Sequence, residues 1–509
     1  MLDQKTYLCN GKIEKWSGTN IVVQSPICEN GKRIIIGSYP AMDKNTALEI
    51  LNAAVNAYAS CVGAWPTFSV QTRIKYVRQF TEEMKKHKTN IVNLLMWEIG
   101  KNHSDSEKEF YRTITYINQT INALIDLDRT SSKFITEEGI LAQIRRSPLG
   151  VVLCMAPFNY PLNELFTTLI PALIMGNTVI FKPAKFGILL FEPLLEAFKI
   201  FPPGVVNTLY GDGKEIIPPI IASGKIDVLA FIGSSKVADI LKKQHPKPHR
   251  LKCILGLDAK NIGIITKSVL DMEYVINECV KATLTFNGQR CTALKLLFVH
   301  NSIKNQFVPE FIAKIRTLKI GMPWDNADIT PLPEENKSEY LMSLVNDAME
   351  KGAKEIVLSH DIKCPTLFNP VVLTGVTKEM RIFHEEQFGP IIPIVFYETI
   401  EEPIKAIIDS NFGQQASIFS TNPQEISELI DILTNQVSRV NINCQCQRGP
   451  DTFPFNGRKD SAEGTLSISD ALKVFSIRSI VATKETDKEI FKEIIGKNLS
   501  NFLNTNYIL

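Results

Sequence analysis

No stretch of this 509-residue chain approaches the roughly 18 consecutive apolar residues of a membrane span, and Met1-Leu2-Asp3-Gln4-Lys5 has no apolar core of signal-peptide length. A surplus of one charge is missing as well. Lys and Arg number 56 against 54 Asp and Glu, for a net charge of +2, and no basic stripe is interleaved with aromatics. Membrane and nucleic-acid partners are therefore not expected. The ten cysteines include no Cys-x-x-Cys pair. Cys444 and Cys446 have no nearby His, and His384-Glu385-Glu386 lacks a second His at helical spacing, so no metal site is expected. Scattered thiols without a disulfide frame fit a reducing compartment, which makes the protein cytoplasmic on this reading. Gly211-Asp212-Gly213 is not a GxGxxG fingerprint, and no internal repeat stands out.

What remains is an ordinary globular composition, 44% hydrophobic and 22% charged, long enough for two or three cores. Helical and strand periodicities alternate, which predicts an α/β architecture. Helices are expected over 46–58, 71–86 and 107–127. Strands follow in 142–155, then in Val205 to Gly211 and Val228 to Ser234, with helices over 164–175 and 191–200 between them. Such short apolar runs ending near Gly suit a parallel sheet buried on both faces. A second set of strands and helices runs from about 261 to 440.

The most pointed stretch is Phe286-Asn287-Gly288-Gln289-Arg290-Cys291-Thr292. A thiol beside a guanidinium, which favours the thiolate, reads as a nucleophile, although a lone Cys is more often a small buried hydrophobe. Upstream, Pro157-Phe158-Asn159-Tyr160-Pro161 sets an Asn on a turn. Its amide suits an oxyanion formed when a thiolate adds to a carbonyl; the plain alternative is a turn cap. The run Thr178 to Phe181 reads as a buried strand whose end carries Lys182-Pro183, where parallel sheets place ligands.

These segments, with Glu385-Glu386-Gln387-Phe388-Gly389-Pro390 and Arg448-Gly449-Pro450-Asp451-Thr452-Phe453-Pro454-Phe455, resemble the aldehyde dehydrogenase superfamily over roughly residues 5 to 485. Within it, the pattern is most similar to the non-phosphorylating NADP-dependent glyceraldehyde-3-phosphate dehydrogenases. The resemblance implies a parallel-sheet cofactor domain (1–130 and 150–260) and an α/β catalytic domain (261–445). It also implies a small β oligomerisation arm (131–149 and 460–485), a homodimer or homotetramer, and a C-terminal tail, 486–509. The run 471–481 reads as an edge strand of that arm, and 489–502 as a short amphipathic helix. Cys291 is the implied nucleophile and Asn159 the oxyanion donor.

Lys182, Ser234, Glu386 and Phe388 match the family's cofactor contacts. In the residues alone, Ser234 reads equally as a helix cap, and Phe388 as a core anchor. Where the superfamily often has a Glu for the adenosine ribose, this chain has Lys185, an ammonium that attracts the extra phosphate of NADP over NAD, unless it is merely a solvated surface Lys. Arg112, Arg290 and Arg448 resemble the arginines that contact glyceraldehyde 3-phosphate, with Tyr160 and Thr292 beside them. A small phosphorylated aldehyde is the implied substrate.

One departure stands against these matches. The family's general base is a Glu in Glu-Leu-Gly-Gly-Lys, and here the segment is Cys253-Ile254-Leu255-Gly256-Leu257-Asp258-Ala259-Lys260. Setting Lys260 on the motif's Lys puts Gly256 at the Glu position, and a shifted alignment offers only Ile254 or Leu255. Asp258 is the nearest carboxylate and a tentative substitute. Three outcomes stay open: hydrolysis assisted by Asp258 or a relayed water, transfer of the acyl group to coenzyme A, or binding without turnover.

Overall fold

The computed structural model describes residues 1–357 and 364–505; the last four residues of the expected tail lie outside the described residues. Strands Val151–Met155, Thr178–Lys182, Val206–Thr208, Val228–Ile232 and Lys252–Gly256 form one parallel sheet. In space the third lies beside the second, the second beside the first, and the first beside the fourth. The order reverses between Val151–Met155 and Val228–Ile232, and such a switch point opens a crevice at the strands' carboxyl ends. Almost every residue of the strands Val151–Met155, Thr178–Lys182, Val206–Thr208 and Val228–Ile232 is buried, as a sheet covered on both faces requires, while Lys252–Gly256 nearer the edge is buried only in part.

A second, seven-stranded sheet is parallel except for its edge strand Lys354–Val357, and is centred on Asn261–Ile265 and Leu294–His300. Cys291 lies three residues before the latter strand, and it lines the same cavity as Ile232 and Gly256 at the carboxyl ends of the first sheet. A third sheet pairs Phe134–Glu137, Ile140–Pro148 and Ser476–Lys484 in antiparallel register.

The helix expected over 107–127 extends to His103–Ser131, because Asn102 accepts the amide N–H of Asp105 and caps it a turn earlier. The expected helix over 191–200 is instead a 3-10 turn at Leu189–Leu194 and a short helix at Leu195–Phe198, with Pro193 inside the turn. The edge strand expected over 471–481 is also corrected. Ile468, Ala471, Leu472 and Phe475 recur at helical spacing, all fully buried, and Ile468–Val474 is a helix, with the strand beginning at Ser476. Residues 460–475 thus contribute no strand to the third sheet; Ala462–Glu463 pairs instead with Lys252–Gly256 of the first. The tail helix stops at Gly496, and beyond it the chain lies on the third sheet. There Gln143 Nε2 donates to Asn504 O at 2.7 Å and Arg145 Nη1 to Phe502 O at 3.0 Å.

Candidate active site

The loop before Cys291 has little conformational choice. Phe286, Asn287 and Gly288 all adopt positive φ, and a Cβ on Gly288 would stand 2.7 Å from Thr283 O, so only glycine fits there. Asn287 holds this turn in place by exchanging hydrogen bonds with Thr330, at 2.9 and 3.2 Å. Beyond the turn, the Cys291 carbonyl accepts from Asn261 Nδ2 at 2.7 Å and from Lys295 Nζ at 3.1 Å. Lys295, fully buried, also lies 2.7 Å from Glu386 Oε1.

Cys291 lines a cavity of about 830 Å³ between the two sheets. Asn159, Tyr160, Ser234, Asp258, Glu386, Phe388, Arg112, Arg290, Thr292 and Arg448, ten of the residues singled out in the sequence, line it too. Asn159 Nδ2 donates to Gln289 O at 2.8 Å, which holds its amide against the loop that carries Cys291. Sequence reasoning missed the group that supports it. Buried Lys101 donates to Asn159 O at 2.7 Å, pairs with Glu109, and lies 3.6 Å over the Tyr160 ring. Glu109 in turn accepts the N–H groups of Leu162 and Asn163 at 3.1 Å each. No local pattern marks such a pair, whose value lies in contacts distant in sequence.

Several expectations change. The Cys291 thiol is raised above the ordinary cysteine range, by burial first and then by the negative field of Glu164, against the pull of Lys295 and Arg448. The adjacent Arg290 does not activate it as expected. Its Nη2 donates to Lys281 O and Ala282 O, at 3.0 Å each, at the end of the preceding helix. Asp258, the candidate base, is bound to the start of the Ser235–Gln244 helix, its Oδ2 accepting both Ser235 N–H and Oγ–H at 2.8 Å. Asp258 therefore fills the capping role, and Ser234 makes no side-chain cap.

At the Gly256 position the cavity wall is apolar. A Cβ there would meet Leu466 Cδ1 at 3.2 Å and Ile232 at 3.5 Å. Ile254 packs into the core that Cys291 touches and Leu255 into the opposite one, so neither alignment brings a carboxylate to this place.

The donors present fit a dinucleotide. Lys182 is a buried ammonium with one hydrogen bond, to Pro183 O at 3.1 Å, and burial pulls its pKa down to about 8. It stands at the carboxyl end of the parallel sheet, while Glu386 and Phe388 flank the thiol. Lys182 and Lys185 do not line the cavity themselves, and Lys185 is exposed and paired with Glu335 at 2.9 Å. Among the described residues, no helix is long and apolar enough to cross a membrane, and no group of His, Cys, Asp and Glu is placed to hold a metal ion.

The fold is an α/β one with a thiol in the cleft beside its parallel-sheet switch point. The chain belongs to the aldehyde dehydrogenase family, whose model matches residues 16–481, and it is an NAD(P)-dependent oxidoreductase of that family's fold. It is 33% identical over 465 residues to the NADP-dependent glyceraldehyde-3-phosphate dehydrogenase of Streptococcus equinus, covering 90% of this chain and 94% of the relative. To the lactaldehyde dehydrogenase of Methanocaldococcus jannaschii it is 26% identical, covering 88% and 95%. Among solved structures, the NADP-dependent glyceraldehyde-3-phosphate dehydrogenase from Bacillus halodurans, complexed with NADP, is similar at a TM-score of 0.85 and 29% identity, over 95% of this chain and all of that one.

Proposed function

We propose that the protein oxidises glyceraldehyde 3-phosphate to 3-phosphoglycerate with NADP, through a thioester on Cys291 and without inorganic phosphate. The observation that carries this reading is the joining of two groups in one cavity: the Cys291 and Asn159 pair, and the Arg112, Arg290, Arg448 and Tyr160 set. Cys291 adds to the aldehyde carbon, and the Asn159 amide with the Cys291 backbone N–H stabilises the oxyanion. When bound, the nicotinamide supplies the hydride acceptor. Lys182, Lys185, Ser234, Glu386 and Phe388 are the residues that hold it, and the guanidinium groups orient the phosphate end of the substrate. The relatives' NADP dependence supports the choice of cofactor.

The reaction is cytoplasmic on this proposal, in keeping with ten unpaired thiols, and the enzyme is a homodimer or homotetramer. The edge strand Ser476–Lys484 supports assembly, since it exposes Ile477 and Ile480 at 55% and 60%.

The apolar wall at Gly256 favours a second reading, in which coenzyme A rather than water accepts the acyl group, because a thiolate acceptor needs no base. NADPH formation from glyceraldehyde 3-phosphate, with neither phosphate nor coenzyme A and then with coenzyme A, separates the two. Steady turnover without an acceptor supports hydrolysis. A burst equal to the enzyme concentration, released by coenzyme A, supports acyl transfer, and no NADPH formed from this aldehyde under either condition removes both readings.

Lys185→Glu is expected to shift preference from NADP toward NAD by roughly tenfold or more, since a carboxylate there repels the 2′-phosphate and also faces Glu335. The ratio of kcat/KM for the two cofactors measures this. An unchanged ratio would place the 2′-phosphate elsewhere.

A further inference from the structure

The substrate end of the cavity holds a carboxylate that the sequence did not single out. Glu164, in the first turn of the Asn163–Ile174 helix, reads in sequence as an ordinary acid at a helix start. In the structure it is buried, lines the cavity, and is ion-paired through Oε2 with Arg448 Nη1. The rest of the Arg448 fork is also engaged. Its Nη2 donates to Leu466 O at 3.1 Å, and its Nε, which makes no hydrogen bond, forms an ion pair with Asp451 Oδ1 at 3.2 Å. Asp451 in turn takes both Nε and Nη2 of Arg112, at 3.0 and 2.7 Å. Glu164, Arg448 and Arg112 line the cavity, and Asp451 behind them joins the two arginines into an alternating chain. With Arg290, three guanidinium charges face two carboxylates, leaving one positive charge where an unopposed arginine set would present three.

We propose that Glu164 is a specificity-determining residue that limits the negative charge accepted at the substrate end, so that the site holds dianionic phosphate groups less tightly than its arginines alone would. The inference rests on the substrate reading above. A phosphate reaching Arg448 must displace Glu164 or share the guanidinium with it, and every dianion meets the carboxylate's repulsion. Uncharged hydroxyaldehydes escape that penalty, so the site admits small polar aldehydes with and without phosphate.

Titration calorimetry of the full-length protein with glycerol 3-phosphate, which has no aldehyde to oxidise, tests this directly. Glu164→Gln keeps the side chain's size and removes its charge, and is expected to bind glycerol 3-phosphate about tenfold more tightly than the parent. The ratio of KM for glyceraldehyde to KM for glyceraldehyde 3-phosphate should rise by a similar factor. Should the amide destabilise the helix, Glu164→Met, of like length, supplies the same comparison. Unchanged affinity, or binding in neither protein, overturns the inference; weaker binding overturns it too, by showing that Glu164 positions Arg448 for the phosphate. A parent protein that turns over neither aldehyde removes the proposed function, while the calorimetry still decides the role of Glu164.

Discussion

Replacing Cys291 by Ser is expected to lower NADPH formation from aldehydes by on the order of 10³-fold or more, because no thioester forms and the serine hydroxyl has no base beside it. The loop is built around this one position. Strained backbone at Phe286 and Asn287, the Asn287 and Thr330 exchange, and two donors on the Cys291 carbonyl fix where the sulfur stands. Ser is close to isosteric, so folding and cofactor binding should survive, and cofactor fluorescence titration serves as the control. Because the native thiol is raised, the thiolate fraction grows as pH increases from neutral through the shifted value, and the burst rate should climb over the same range. A Cys291→Ser protein that retains a comparable rate would remove Cys291 from the mechanism, as would a burst rate that falls with rising pH.

The parts legible in the sequence are those whose signal is local. Periodicity marks four of the five parallel strands of the first sheet, all but Lys252–Gly256, and the stretch from Phe286 to Thr292 marks the loop that carries Cys291 to the cavity. What escaped was set by long-range pairing. Helical spacing at Ile468, Ala471, Leu472 and Phe475 was open to reading, but alternation in the neighbouring strand masked it. Lys101, just before the His103–Ser131 helix, and Glu109 within it support Asn159 from far off in sequence, so neither carries a recognisable local pattern. Arg290 and Asp258 line the cavity, but their side-chain bonds go elsewhere than their sequence neighbours suggest, for a common reason. Adjacency in sequence to a reactive residue does not determine where a long side chain goes, and both side chains satisfy nearby helix ends instead.

Gly256→Glu is expected to raise acceptor-free turnover by roughly 10²-fold or more if deacylation by water limits the native protein, since general-base assistance is worth about 10²–10⁴-fold. The position can take a side chain. Gly256 lies in an extended strand without positive φ, and the atom a Cβ would crowd is the tip of Leu466, 3.2 Å away and able to rotate. The new carboxylate would enter an apolar wall between Ile232 and Leu466, and burial there raises its pKa toward the range of a working base. A like charge would also arrive near a thiol already raised by burial and by Glu164, so the burst itself should slow modestly at neutral pH. The informative signature is therefore opposed changes: a slower burst and a faster steady state. If both rates fall together, Gly256 is not where the base is missing. If the parent already shows steady turnover without a burst, deacylation was never limiting, and another group activates water.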